Sequence, residues 1–130
     1  MPDVETAPVT LHVCVTCLKP GEPFEPREAR SGAKLHHALE ATLDPAKHGA
    51  IEIVPVACLS SCKRSCNVAL SSPGKWSYVY GDLAPEHAET LLGAIRRYAE
   101  TPDGLVPWRE RPDIIKCGAL ARIPPFGAKP

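Results

Sequence analysis

Apolar and polar positions alternate along "VTLHVCV", residues 9–15, in a run rich in β-branched side chains, and this predicts a half-buried strand that carries Cys14 to its end. The next stretch, "LKPGEPFEPREARSG", holds three prolines and two glycines, which excludes a regular helix and predicts a loop. From Ser31 the period changes. In "SGAKLHHALEATL", Leu35, Ala38, Leu39, Thr42 and Leu43 recur at helical spacing, with Ser31 as N-cap and an end before Pro45. "AIEIVPVACL" predicts a second strand, in which Pro55 marks an edge, a bulge or the end of pairing. "NVALSS" and "WSYVYGDL" flank the turn residues "PGK" and predict a hairpin. "PEHAETLLGAIRRYAE" is the clearest helix, with Pro85 in its first turn and Ala88, Leu91, Leu92, Ile95 and Tyr98 as its buried stripe.

The order of elements is β-α-β-β-β-α over residues 1–100, with residues 1–9 as a loose leader. Residues 101–130 form an irregular, proline-rich extension with no convincing period. Its Leu105, Val106, Trp108, Ile114, Ile115 and Phe126 are too apolar for a solvated tail, so it is expected to pack on the domain or on a partner subunit.

A chain of 130 residues is the size of one domain with a real core. Fifteen basic and fifteen acidic side chains give a formal charge of zero, so no overall basic field exists to hold nucleic acid or an anionic membrane. "MPDVETAP" lacks a basic export signal, and "IVPVACL" is far too short to span a bilayer; the expected location is cytoplasmic. There the six cysteines are held reduced, which favours metal binding or redox chemistry over structural disulfides.

Cys14 and Cys17 form C-x2-C at a strand end, and "CLSSCKRSC" places Cys58, Cys62 and Cys66 after another strand. Thiolates two or three residues apart can chelate one centre, and two such pairs supply the four sulfurs that zinc, [2Fe–2S] and [4Fe–4S] centres take. If residues 58–66 were helical, Cys58 and Cys66 would lie about 12 Å apart, so neighbouring pairs are favoured; spacing alone does not choose between them. Cys117, alone in "IIKCGA", reads as a buried or free thiol, and His12 as an ordinary strand histidine rather than a ligand. His36, His37, His48 and His87 read as helix-face or loop residues. Trp108 with Arg109 and Arg111 offers a docking patch, although a tryptophan anchoring the tail to the core is the simpler reading.

"CLSSC" after the second strand and "YGDLAPE" before the last helix resemble the corresponding segments of thioredoxin-like [2Fe-2S] ferredoxins and of the related cluster subunit of respiratory complex I. From "HVCVTC" through "CLSSCKRSC" to "VPWRERP" the chain also resembles a bacterial family of small cysteine-rich proteins expected to bind metal (DUF1636-like). The resemblance implies a thioredoxin-like α/β fold and a [2Fe–2S] cluster on Cys14, Cys17, Cys58 and Cys62. The two-residue gap between Cys14 and Cys17 departs from the ferredoxin spacing, which keeps Cys66 as the alternative to Cys17. It further implies electron transfer to a redox partner protein rather than catalysis, service to cobalamin or cobalt metabolism, and homodimerisation as an option.

Lys63 and Arg64 lie between the cysteines, where they would raise the potential of an anionic cluster, greet an acidic partner, or simply be solvated. Two other functions stand beside the electron carrier. One is a non-redox zinc or metal-delivery module. The other is a thiol–disulfide oxidoreductase using Cys14 and Cys17, weakened because the helix that should activate a thiol begins about a dozen residues later.

Overall fold

The computed structural model describes residues 8–60 and 62–126, and of Cys62 the backbone alone. The reading of residues 1–7 as a leader therefore lies outside the described residues, whereas Val9 is 1% exposed and already opens the first strand. Among the residues described, five strands form one sheet: β1 (Val9–Cys14), β2 (Ile51–Val56), β3 (Val68–Ser71), β4 (Ser77–Tyr80) and β5 (Ala119–Ile123). Their spatial order is β2-β1-β3-β4-β5; β1 and β2 run parallel and every other pair is antiparallel. Among the described residues four α-helices accompany the sheet: α1 (Ser31–Thr42), α2 (Pro45–His48), α3 (Ala88–Ala99) and α4 (Asp113–Gly118).

Period-two alternation selects the core face of the sheet. Val9, Leu11 and Val13 of β1 register with Ile51 and Ile53 of β2 and with Val68 and Leu70 of β3, and these in turn meet Tyr80 and Tyr78 of β4. Leu35 and Leu39 of α1 and Leu91, Leu92 and Ile95 of α3 pack into the same core. Burying each such aliphatic side chain stabilises the fold by about 1.5–3 kcal/mol. The stripe expected on the last helix is the one observed, buried at Ala88, Leu91, Leu92, Ile95 and Tyr98. Its first turn, Pro85–His87, is a 3-10 turn that leads into α3.

Lys75, at the hairpin turn, is also buried, and its Nζ donates to the carbonyl of Ala99 at 2.7 Å, closing the C-terminal end of α3. Burial holds its pKa below the ordinary lysine value, with Asp103 opposing.

Three expectations need correction. Ser31 is not the N-cap of α1 but its first residue; Arg30 occupies the cap position, its side chain bonding the Phe24 and Thr16 carbonyls rather than the helix N–H groups. Glu22 reaches in from the proline-rich loop and accepts from the Ser31 hydroxyl at 2.5 Å and from its N–H at 3.3 Å, so the loop itself caps the helix. The extension is not irregular throughout. It contains α4 and β5, and Ile115 belongs to the core. Trp108 does not anchor the tail: it is 60% exposed, with the guanidinium of Arg111 and the ammonium of Lys116 over its ring.

Candidate thiol site

The parallel pair β1–β2 sends both of its following loops out from the same end of the sheet, a position where open α/β folds gather functional groups. Cys14 ends β1, opposite Val56, and the chain stays paired for one more bond, Val15 N–H to the Val56 carbonyl at 3.0 Å. Beyond this point the two loops bind each other. The Thr16 hydroxyl donates to the carbonyl of Ala57, and the Cys14 thiol approaches the same carbonyl at 3.8 Å. Cys58, the next residue, is exposed, and its Sγ accepts the Ser60 N–H at 3.2 Å.

A third segment closes the site. The Cys14 N–H donates to the Asn67 carbonyl at 3.2 Å, which brings the residues just before β3 alongside the end of β1. Cys66 there is fully buried and exchanges both backbone bonds with Leu83. Lys19 bridges the first loop to this segment through Nζ to the Ser65 carbonyl at 2.9 Å.

Below the thiols lies the beginning of α1. The Gly32 N–H donates to the Cys17 carbonyl at 3.1 Å, and a Cβ at position 32 would stand 2.2 Å from the Cys14 carbonyl oxygen and 3.0 Å from Cys17. Only glycine allows so close an approach. The dozen or so residues that separate Cys17 from α1 in sequence therefore form an excursion: the chain loops out and returns its helix N-terminus to the C-x2-C turn. The objection that the helix starts too late to meet the thiols fails in space.

Burial pushes the Cys14 thiol up, but hydrogen bonds from Cys17, from Thr16 and from the Leu59 backbone outweigh it, and its pKa lies below the ordinary thiol value. Cys17 moves the other way. Burial and the hydrogen bond it gives to Cys14 push it up to about 12. Cys66 is pushed up to about 11, first by burial and then, against the attraction of Lys19, by the charges of Glu22 and Cys14.

The expected site residues thus divide. Cys14 and Cys17 are hydrogen-bonded to each other, Cys66 is within electrostatic reach of Cys14, and Cys58 rides on the loop bound to Cys14 and Thr16. The backbone of Cys62 begins the 3-10 turn Cys62–Arg64. Among the described residues, no three His, Cys, Asp or Glu side chains are close enough to hold one metal ion. Cys117 is a free, exposed thiol remote in sequence from this cluster. Arg64 is committed to Asp82, its Nε 2.8 Å from Oδ2, whereas Lys63 is exposed beside the thiols. His48, read from sequence as a loop residue, is 2% exposed; it accepts the Asp44 N–H and bonds Glu89 of α3 at 3.0 Å.

The chemistry of this donor set suits a thiophilic centre. Cysteines come from two loops joined at one sheet end, and Cys14 is held toward its thiolate form. Sheet order, helix placement and the thiol turn define a thioredoxin-like α/β domain. The chain belongs to the family described as "Protein of unknown function (DUF1636)", whose profile matches residues 11–125. It is similar to a thioredoxin-like [2Fe-2S] ferredoxin from Aquifex aeolicus, with 19% identity, a TM-score of 0.59, and coverage of 93% of this chain and 97% of that one. A second structure of the wild-type Aquifex aeolicus protein gives 18% identity and a TM-score of 0.56, covering 87% of this chain and 96% of that one. A Cys-to-Ser variant of it gives 17% identity and a TM-score of 0.56, covering 87% of this chain and 98% of that one. No curated protein sequence matches this chain. At such identities the likeness establishes the fold.

Proposed function

We propose that this protein is a small [2Fe–2S] ferredoxin-type electron carrier, with Cys14, Cys17, Cys58 and Cys62 as ligands and Cys66 as the alternative to Cys17. The observation that carries the reading is the joining of the two cysteine loops, through Thr16, Cys14 and Ala57, at the end of the parallel strand pair. When bound, a cluster supplies one-electron chemistry. The chain's own contribution is to present thiolates. Cys14 is held toward its thiolate form by its neighbours, and the exposed Cys58 sets the centre close to the surface, where a redox partner protein can approach. No helix of the described residues is long and apolar enough to cross a membrane. Service to cobalamin or cobalt metabolism rests on the family resemblance alone.

The test is iron and acid-labile sulfide analysis of anaerobically purified protein, with visible absorption and EPR of the reduced form. Equal amounts of iron and sulfide with a rhombic reduced-state signal are expected. A colourless protein holding one zinc per chain would instead establish the metal module. Cys66→Ser and Cys17→Ser decide the fourth ligand by which of them loses the centre.

The mutual hydrogen bond of Cys14 and Cys17 above a helix N-terminus favours one second reading, thiol–disulfide exchange. The Cys14 thiolate would attack a substrate disulfide and release one thiolate, and Cys17 would then displace the second as the internal disulfide forms. Turnover of a dithiol reductant by metal-free protein, lost in Cys14→Ser, is the discriminating assay.

A further inference from the structure

Residues 18–30 pass beside the thiol site without sinking into the fold. None of them is buried, and Phe24, their one aromatic side chain, is 71% exposed. The thiols next to this segment are in the opposite state: Cys17 is 3% exposed and Cys66 is fully buried. A buried thiol meets an incoming metal ion only after its cover moves.

The cover is a tight turn. Pro20 and Gly21 form its middle, the Glu22 N–H closes it on the Lys19 carbonyl at 3.1 Å, and Gly21 takes the positive φ of +86° that a type II turn requires there. Its first and last residues carry the fasteners. Lys19 Nζ donates to the Ser65 carbonyl at 2.9 Å, next to Cys66, and Glu22 accepts from the Ser31 hydroxyl at 2.5 Å at the start of α1. Both charges reach the Cys66 thiol, Lys19 drawing its pKa down and Glu22 pushing it up, so the turn stands close to that residue. Between the turn and Lys63, Ser65 and Asp82 lies an open recess of about 690 Å3, and nothing stands within 4 Å of where a Cβ on Gly21 would be.

The manner of fastening decides what can move. A segment held by hydrogen bonds at the solvent boundary, with no buried apolar anchor, opens locally at far less free energy than core strands do. The walls behind the thiols are of the other kind, since Val13, Val68 and Leu83 are fully buried. Opening at the turn therefore leaves the sheet and helices in place.

We propose that residues 18–30 form a strap that gates Cys17 and Cys66: release of the Lys19–Ser65 and Glu22–Ser31 ties swings the turn outward and admits a metal ion or cluster, and their return closes the site over it. The strap rests on the metal-centre reading for what enters, whereas the opening itself belongs to the metal-free chain.

The test labels native, full-length, metal-free protein with N-ethylmaleimide and follows each cysteine by peptide mass. In the wild type the exposed Cys58 and Cys117 react first and Cys66 slowly. Lys19→Met and Glu22→Ala should each speed Cys66 labelling about tenfold, the effect of losing one charge-assisted hydrogen bond, and leave Cys117 unchanged. The two variants alter the charge at Cys66 in opposite senses. Loss of Lys19 by itself favours the unreactive protonated thiol and would slow the reaction, so acceleration in both variants reports access. Cobalt(II) then tests admission, its thiolate absorption appearing faster in both variants than in the wild type. Cys66 labelled no faster in Lys19→Met, labelling that rises only as the urea midpoint falls, or cobalt uptake at the wild-type rate would each overturn the proposal. Accelerated labelling with no cobalt absorption in any variant would uphold the opening and count against the metal-centre reading.

Discussion

Position 32 tolerates no side chain larger than a hydrogen, because the Cys14 carbonyl and the Cys17 backbone occupy the space where a Cβ would stand. Gly32→Ala must push the helix start away from the thiol turn, and overpacking of this kind costs about 1–3 kcal/mol. A lowered urea midpoint and a weakened metal or cluster load are expected together; an unchanged midpoint would show that the contact is slack. The thiols also set a pH dependence. Folded Cys17 and Cys66 keep their protons up to about 12 and about 11, against an ordinary value of 9.0. Between these values the native chain binds more protons than the unfolded one, so stability falls as pH rises through the window. Cys14 acts in the opposite sense, its contribution complete above 9.0 and lost as pH falls through its lowered folded value. Metal-free protein should therefore show a denaturation midpoint that declines from pH 9 upward, with a shallower slope in Cys66→Ser; a flat profile would contradict the shielding of these thiols. Cysteine type and spacing pointed to the site, but nothing in "RSGAK" announces that Gly32 lies under Cys14. That contact is made across a folded-out loop, and no local pattern records it.

Helix α3 was legible because its apolar positions fall on one stripe that needs no other part of the chain to be recognised. Strand β5 was not. "ALARI" is short and has weak strand formers, and its order comes from the ladder that β4 offers rather than from its own propensity. The single turn of α2 is likewise fixed from outside, through Asp44 and the buried His48 that grips Glu89 of α3. The dependence of β5 on β4 has a measurable counterpart. A chain lacking residues 113–130 loses Ile115 from the core and uncovers the edge of β4, so thermal stability should fall and dye binding to exposed apolar surface should rise. Buried Ile115 alone accounts for about 1.5–3 kcal/mol of that loss. An unaltered melting temperature would mean that the extension is dispensable to the fold.

In the molecule as a whole, the sheet order gathers the thiols at the β1–β2 end. The same order puts β2 and β5 on the outside, and proline attends both: Pro55 lies within β2, and Pro124 and Pro125 follow β5 at once. A proline has no N–H to offer an incoming strand, so the β2 rim is interrupted as a template for a neighbour's backbone, and the β5 rim is cut short after Ile123. Strand addition is thereby discouraged along β2 and limited to five residues along β5.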